Sequence, residues 1–282
     1  MRQSEMPESY LELLKLRLEG HEANVPFFIG AKHQVRKVAK LLGIRTPEIF
    51  YTGPLSGVPW DNLPSEFVLK PTFASTSIGI FLVESHDGAW RDAVSRRPLT
   101  KEEIIDKERL VSARFFNGDE AKGDFIVEKL LRDRDGTIPP RDVRVNAFFG
   151  EIGMIYLDDH LTGKVATASY FDGNFVPFED VAQRYGIANG AEERQRIVNS
   201  PTPETANEIL RVAKLLSLAL PTSFARLDFY DTPEGVYLGE ITFTPGAFYY
   251  RNAKLMHPLE DHRLGVIWKS AIERFRSASG GC

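Results

Sequence analysis

Apolar residues recur at spacings of three and four along the first forty positions. Tyr10, Leu13, Leu14 and Leu18 fall on one side of residues 8–19, and Val35, Val38, Ala39 and Leu42 on one side of 31–43. That period predicts two amphipathic helices, the second stopped by Gly43. Pro47 follows, then a short apolar run, Ile49-Phe50-Tyr51. Helix, glycine stop and buried strand predict an α/β N-terminal lobe over residues 1–64.

The pattern then shortens. Strands are expected at 67–70 and 80–83, joined by a small, polar loop from Thr72 to Gly79. Thr100 and Glu103 have the spacing of a capping box and open a helix towards Leu110. Phe125-Ile126-Val127-Glu128 is a further strand, and 132–140, rich in charge, Gly and Pro, is a loop. Strands recur near 143–149 and 152–157. Residues 158–200 are polar and irregular, either an ordered insertion on the substrate side or a lid. Thr202-Pro203-Glu204 predicts an N-cap with proline in the first turn, ahead of the stripe Ile209, Val212, Ala213 and Leu216. Strands at 224–230 and 236–241 form a hairpin across 231–235. The expected lobes are 1–64, 65–130 and 131–282, with no internal repeat.

Composition narrows the function classes. The 282 residues are 43% hydrophobic and 26% charged, enough apolar material for a sizeable core. A net charge of -4 disfavours a bulk nucleic-acid binder. Cys282 is the one cysteine, in a tail (277–282) that reads as a flexible end, so no disulfide forms within the chain and a reducing cytoplasm is expected. The first twenty residues do not read as a signal peptide, and no apolar run approaches the ~20 residues of a membrane helix. A cytoplasmic protein without membrane insertion is expected; a homodimer stays open.

Four constellations could carry chemistry. Lys70 ends an apolar strand and precedes the hydroxyls Ser75, Thr76 and Ser77. A long stem can lie along a sheet while its ammonium meets an anion, and small residues let backbone N–H groups approach phosphate oxygens. The alternative is a surface lysine before a polar hairpin. Next, the extended segment 124–131 can pair its backbone with a purine edge, with Glu128 near the adenine amino group or ribose; it also reads as a plain strand ending in a solvated Glu128-Lys129 pair. Asp142 and Arg144 are two apart and share one face of a strand. They suit ribose hydroxyls and phosphate respectively, or form a surface ion pair worth about 0–1 kcal/mol. Finally, Asp228 and Glu240 lie on the two arms of the hairpin and can face each other. Two partly buried carboxylates side by side repel, and burying an unpaired charge costs several kcal/mol. Either a divalent cation resolves that conflict, its hard oxygen ligands suiting Mg²⁺ shared with phosphates, or Arg226 or another base pairs with the acids. The order lysine, hydroxyl loop, Asp/Arg, Asp, Glu favours the cation, being hard to assemble by chance.

Over roughly residues 30–250 the chain resembles the ATP-grasp superfamily. The segment around Lys70 is similar in spacing to the phosphate-covering loop of D-alanine–D-alanine ligases, and Asp142-Val143-Arg144 resembles the Asp-hydrophobic-Arg strand of the ribosomal-protein glutamate ligases. Asp228 and Glu240, followed by Thr242-Phe243-Thr244-Pro245-Gly246, look most like the teichuronopeptide-biosynthesis (TupA-like) branch, as does Leu63-Pro64-Ser65-Glu66-Phe67-Val68-Leu69-Lys70. The resemblance implies an α+β ATP-grasp fold with nucleotide held between two lobes. It implies Lys70 on the ATP phosphates, Glu128, Lys129, Leu130 and Leu131 as the adenine hinge, and magnesium on Asp228 and Glu240. Thr242 stands where most of the superfamily has Asn, and a threonine hydroxyl is a weaker ligand. Ala74 and Ser75 stand where more glycine is usual.

The family chemistry is phosphorylation of a carboxylate to an acylphosphate, which an amine or other nucleophile attacks with release of ADP and phosphate. Charge on the phosphates repels the attacking carboxylate, so cations must neutralise it; Lys70, Arg144 and Mg²⁺ are expected to do so. Arg226 and Arg251 either hold the substrate carboxylate and steady the tetrahedral adduct or are surface or structural residues. Shielding the acylphosphate from water calls for a closing loop, with 75–79 the first candidate and 158–200 the second. The implied partners are a small-molecule carboxylate and an amine acceptor. The competing readings are a kinase acting on a small molecule or sugar, and a nucleotide-binding module without catalysis.

Overall fold

The computed structural model describes residues 7–22, 24–74, 77–159, 165–246 and 254–279. Contacts gather into two units: Met1–Arg45 with Arg141–Cys282, and Thr46–Pro140.

The larger unit is built on a six-stranded sheet. Its strands are β7 (Asp142–Phe148), β8 (Glu151–Asp159), β9 (Ala166–Phe171), β11 (Gln195–Ile197), β12 (Ala225–Thr232) and β13 (Gly235–Thr242). They lie in the order β11-β9-β8-β7-β12-β13, antiparallel except for β11 on β9. Because side chains alternate along a strand, one face collects Val143, Val145, Ile155, Leu157, Leu227 and Phe229. These pack with Ile209, Val212, Ala213 and Leu216 of α5 (Ala206–Ala219) and with Val35 and Ala39 of α2 (Lys32–Leu41). Each Val, Leu, Ile or Phe side chain so buried contributes about 1.5–3 kcal/mol of transfer free energy. On the opposite face Met154, Tyr156 and Tyr170 meet α1 (Tyr10–Leu18) and α6 (Pro258–Ser279) through Tyr10, Leu14, Leu264 and Trp268. Ser9 caps α1, accepting from the Glu12 amide at 3.1 Å. A two-stranded ribbon, β10 (Tyr185–Ile187) with β14 (Lys254–Met256), and the single turn α4 (Val181–Arg184) complete the unit.

The Thr46–Pro140 unit is an antiparallel sheet with one helix. Its strands are β1 (Ile49–Pro54), β2 (Glu66–Pro71), β3 (Phe81–His86), β4 (Ala89–Asp92), β5 (Pro98–Leu99) and β6 (Asp124–Glu128), in the order β1-β6-β2-β3-β4-β5. Phe67, Leu69, Phe81, Val83, Phe125 and Val127 form its core with Ile104 of α3 (Lys101–Phe115). The expected capping box is present at its threonine: Thr100 Oγ1 accepts from the Glu103 amide at 3.1 Å.

The structure adds detail to four of these expectations. The divisions at 64 and 130 do not coincide with the unit boundaries: β1 is hydrogen-bonded to β6, which ties 49–54 into the sheet of β2, while α2 packs on β13. Helix α5 starts at Ala206, three residues late, because Thr202 donates its hydroxyl to the Phe175 carbonyl at 2.8 Å and gives no cap. The described part of 158–200 is ordered into β9, α4, β10 and β11. The tail from 277 is helical as far as Ser279.

Candidate active site

The polar face of the larger sheet follows directly from strand register. Glu240 pairs with Asp228, Asp228 with Arg144, Arg144 with Tyr156, and Tyr156 with Tyr170. One row to a side lie Thr242, Arg226 and Asn146; one row to the other lie Tyr230, Asp142 and Asp158. Directly paired residues share a face, so alternation in Asp142-Val143-Arg144-Val145-Asn146 and Arg226-Leu227-Asp228-Phe229 sends the polar set one way and the core the other.

Arg226 grips Asp228 in a two-pronged bond, Nε to Oδ1 and Nη2 to Oδ2, both at 2.7 Å, and reaches Thr242 Oγ1 at 3.3 Å. Arg144 donates to Asp142 at 2.7 Å, pairs with Asp158 at 2.6 Å and stands 3.7 Å from Asp228. Lys254 of β14 also pairs with Asp158. Asp228 is 4% exposed and Asp158 3%, whereas Glu240 is exposed. Burial works against the charge on Arg144, but Tyr156, Asp228, Asp142 and Asp158 outweigh it and raise its pKa further. Burial likewise opposes Arg226, whose pKa the adjacent Asp228 raises. Two-pronged guanidinium–carboxylate bonds fix geometry as well as charge. Arg144 Nε has no hydrogen-bond partner, a buried donor that an anionic oxygen would satisfy. Among the seven groups Arg144, Arg226, Lys254, Asp142, Asp158, Asp228 and Glu240, three cations face four carboxylates, leaving one negative charge in excess.

The smaller sheet carries Lys70 and Glu128 on the face away from α3, where they form an ion pair. Beside them Val68 packs with Ala93, Leu130 and Ile138, and with Leu82 at its edge. A charged pair next to a small apolar patch suits a flat ring with polar edges.

A model of the TupA-like ATPgrasp family matches residues 15–265. The chain belongs to the TupA-like ATP-grasp family. Two solved structures resemble this ATP-grasp chain in fold. D-alanine–D-alanine ligase from Bacillus anthracis complexed with ATP shares 15% identity at a TM-score of 0.50, over 88% of this chain and 67% of that one. D-alanyl-alanine synthetase A from Vibrio cholerae O1 biovar eltor str. N16961 shares 16% at 0.51, over 87% of this chain and 65% of that one. The ATP-grasp chain thus spans about two thirds of the length of each. No curated protein matches it.

Within this α+β ATP-grasp fold, the residues singled out from sequence fall into two groups. Asp142, Arg144, Arg226, Asp228, Glu240 and Thr242 share one sheet face. Lys70 and Glu128 share another, with Leu130 in the adjoining apolar cluster. Lys129 donates its amide to the Glu48 carbonyl at 2.8 Å, which ties the start of the expected hinge to the chain ahead of β1, and Leu131 is buried. Ser77 is in a turn with φ of 63°. Ser75, Thr76, Arg251 and Cys282 lie outside the described residues, as do 160–164 of the segment once read as irregular.

Sequence reasoning missed Asp158, Lys254 and Arg17. Asp158 follows Met154 and Tyr156 at the period of two, a readable signal; Lys254 reaches it from a separate ribbon, which has none. Arg17 is 1% exposed and donates at 2.9 Å to the carbonyls of both Phe224 and Phe243. Those residues flank the strand ends bearing Arg226 and Thr242, so Arg17 pins that end of the hairpin. Its charge is met by Glu22 at 2.6 Å, the condition under which a buried guanidinium is tolerable.

The donor set fits magnesium. For Asp228 the structure realises the Arg226 pairing left open by the sequence, but a carboxylate has about four lone-pair sites, so the Arg226 fork leaves capacity for a cation. Among the described residues no group of three or more His, Cys, Asp or Glu is placed to hold a metal. Two carboxylates with phosphate oxygens and water completing the shell is the usual mode for Mg²⁺.

Proposed function

We propose that this protein is an ATP- and Mg-dependent ligase that activates a carboxylate as an acylphosphate and joins it to an amine, forming ADP. The observation that carries the reading is the in-register row Glu240–Asp228–Arg144, flanked by Arg226 and Asp142, in a chain of the ATP-grasp family. Asp228 and Glu240 would hold magnesium, with Thr242 as a weaker oxygen beside them; the ion supplies charge neutralisation at phosphate oxygens. Arg144 is held by Asp142 and Asp158 with Asp228 close by, and its Nε keeps an unused donor. It contributes preorganised positive charge that needs no rearrangement as charge moves in phosphoryl transfer. Arg226, fixed by Asp228, is assigned to the substrate carboxylate and the tetrahedral adduct.

Lys70 is assigned to ATP phosphates, exchanging Glu128 for a phosphate oxygen, with Ser75, Thr76 and Ser77 as further donors. Glu128, released from the lysine, accepts from the adenine amino group or ribose, and 129–131 supply the backbone edge. Asp142 is assigned to ribose hydroxyls. The ATP complex named for the Bacillus anthracis ligase supports ATP as the nucleotide. No helix among the described residues is long and apolar enough to cross a membrane.

The test is an ADP-release screen of amino acids and sugar acids, singly and in pairs, with and without magnesium. The proposal expects stoichiometric ADP only with two organic substrates and magnesium. A phosphorylated single acceptor would make the protein a kinase, and ATP binding with no ADP release under any pair would make it a binding module.

A further inference from the structure

Helix α3 turns Ile104, Glu108 and Ser112 inward at spacings of four, so a carboxyl occupies the middle of its buried stripe. Glu108 and Ser112 are both fully buried, and neither Glu108 oxygen nor the Ser112 hydroxyl has a hydrogen-bond partner. A leucine there would add transfer free energy; an unpartnered carboxyl costs it. Burial alone pushes the Glu108 carboxyl up to about 8, so it holds its proton at neutral pH.

The position is what gives this acid a task. Gly79 ends the small, polar loop that follows Lys70, with φ of +70°. A β-carbon on Gly79 would lie 2.8 Å from Glu108 Oε2 and 3.1 Å from the Pro71 ring. The turn is therefore wedged between the carboxyl of α3 and the residue after Lys70. No charged group among the described residues competes for the site. Lys70 turns to Glu128 on the far face of the sheet, Lys107 lies over the Phe81 ring, and Arg109 pairs with Asp106 in solvent.

We infer that Glu108 is the positioning residue that seats the 77–79 turn against α3 and so places that turn for the ATP phosphates. The inference rests on the proposed assignment of that loop to phosphate. A charged carboxylate cannot stay unsolvated in this place. Ionisation draws water between α3 and the turn, and the loop loses its seat. The seated fraction then falls about tenfold one pH unit above the carboxyl's midpoint, and apparent nucleotide affinity falls by the same factor.

The experiment compares the full-length wild type with Glu108→Gln, a neutral isostere, from pH 6.5 to 9.5. Amide hydrogen exchange at 77–80 and Mg·ATP affinity by calorimetry are the two readouts. In the wild type, exchange corrected for intrinsic base catalysis should rise above pH 8, while affinity falls roughly tenfold by pH 9. Glu108→Gln should be flat in both. A wild type that shows only intrinsic exchange, or a Gln variant that titrates like it, overturns the seating. Loosening of 77–79 with unchanged Mg·ATP affinity overturns the positioning role, while Lys70→Ala binding Mg·ATP as tightly as wild type overturns the phosphate assignment beneath it. Should the Gln variant fail to fold, the wild-type series decides the question alone.

Discussion

On the smaller sheet, Lys70 pairs with Glu128 beside an apolar patch of Val68, Leu130 and Ile138. On the larger sheet, Arg144 stands among Asp142, Asp158 and Asp228, with Arg226 and Lys254 alongside. Lys70 is a point charge on a flexible stem and can exchange one anion for another with little rearrangement. Arg144 and Arg226 are planar forks locked by carboxylates, so removing any member strands the rest. Function and stability are therefore less tightly coupled at the first constellation than at the second. Glu240 is the exception in the second set: it shares the row, but it is exposed.

That exception gives the sharpest test. Asp228→Asn and Glu240→Gln should each lower Mg-dependent ATP turnover by on the order of 10²-fold or more. Only Asp228→Asn should also destabilise, by about 3 kcal/mol, because it leaves Arg226 beside a neutral group in a buried place. Turnover measured against magnesium, with urea unfolding of both variants, reads the two effects apart. Equal stability loss in both variants would erase the distinction between a built network and an exposed ligand. Retained turnover at normal magnesium dependence would remove the metal assignment.

Lys70→Ala should be the smaller perturbation of fold and the more selective one of binding. The lysine side chain is 18% exposed, and Glu128 beside it is 6% exposed. Loss of the pair should cost about 1–3 kcal/mol of stability and weaken nucleotide affinity roughly tenfold or more, since a charge-assisted bond to phosphate is lost. Calorimetry with Mg·ATP and with ADP checks both. Unchanged affinity for the two nucleotides would return Lys70 to the role of a surface lysine before a hairpin.

What the sequence shows of these two regions tracks how local each arrangement is. Alternation in 142–146 and 226–229 already places Asp142, Arg144, Arg226 and Asp228 on common faces, because a strand's period of two is a local property. The pairing of Glu240 with Asp228 follows from hairpin length. Lys254 against Asp158 does not follow from anything local: it spans 96 positions. Arg17 reads as one charge on an amphipathic helix, and only the fold brings Phe224 and Phe243 to it. Strand β9 was hidden by its small residues Ala166, Ala168 and Ser169, which dilute the alternation that a buried strand otherwise displays. The stripe Leu264, Trp268, Ala271 and Ile272 of α6 is legible by its period. Glu108 is the reverse case. Its spacing from Ile104 puts a charge on the inward face of a predicted helix, a conflict between pattern and residue of the kind that marks functional positions.

The effect of Glu108 on stability is set by pH, and its sign is fixed by the direction of the shift. The folded protein holds the proton up to about 8, whereas an unfolded glutamate releases it near its ordinary value of 4.5. Between those values the native state binds more protons than the unfolded one, so this residue's contribution to stability falls as pH rises and levels off above 8. Glu108→Gln should remove that slope, gaining on the wild type from pH 5 to pH 8 in thermal unfolding. Parallel curves for the two proteins would mean the carboxyl is ionised in the fold, unlike any member of the Arg144 network in lacking a counter-charge.

The smallest expected effect lies at Thr242, and it sharpens what the network is for. Its hydroxyl is 3.3 Å from Arg226 Nη2, a long contact at a half-buried position, so Thr242→Val should change stability by no more than about 1 kcal/mol. If the hydroxyl only steadies Arg226, the variant should raise the KM of the carboxylate substrate a few-fold and leave magnesium dependence alone. If it adds an oxygen to the ion held by Asp228 and Glu240, the variant should instead raise the magnesium concentration needed for half-maximal ADP release. Thr242→Asn then decides between them, because an amide oxygen is the better ligand for a hard cation, whereas with no metal there it would only accept from Arg226 as the hydroxyl does. A lower magnesium requirement in Thr242→Asn than in wild type assigns Thr242 to the metal. A raised substrate KM with unchanged magnesium dependence in both variants assigns it to the arginine, and leaves Asp228 and Glu240 as the only protein side chains in the row with a claim on the ion.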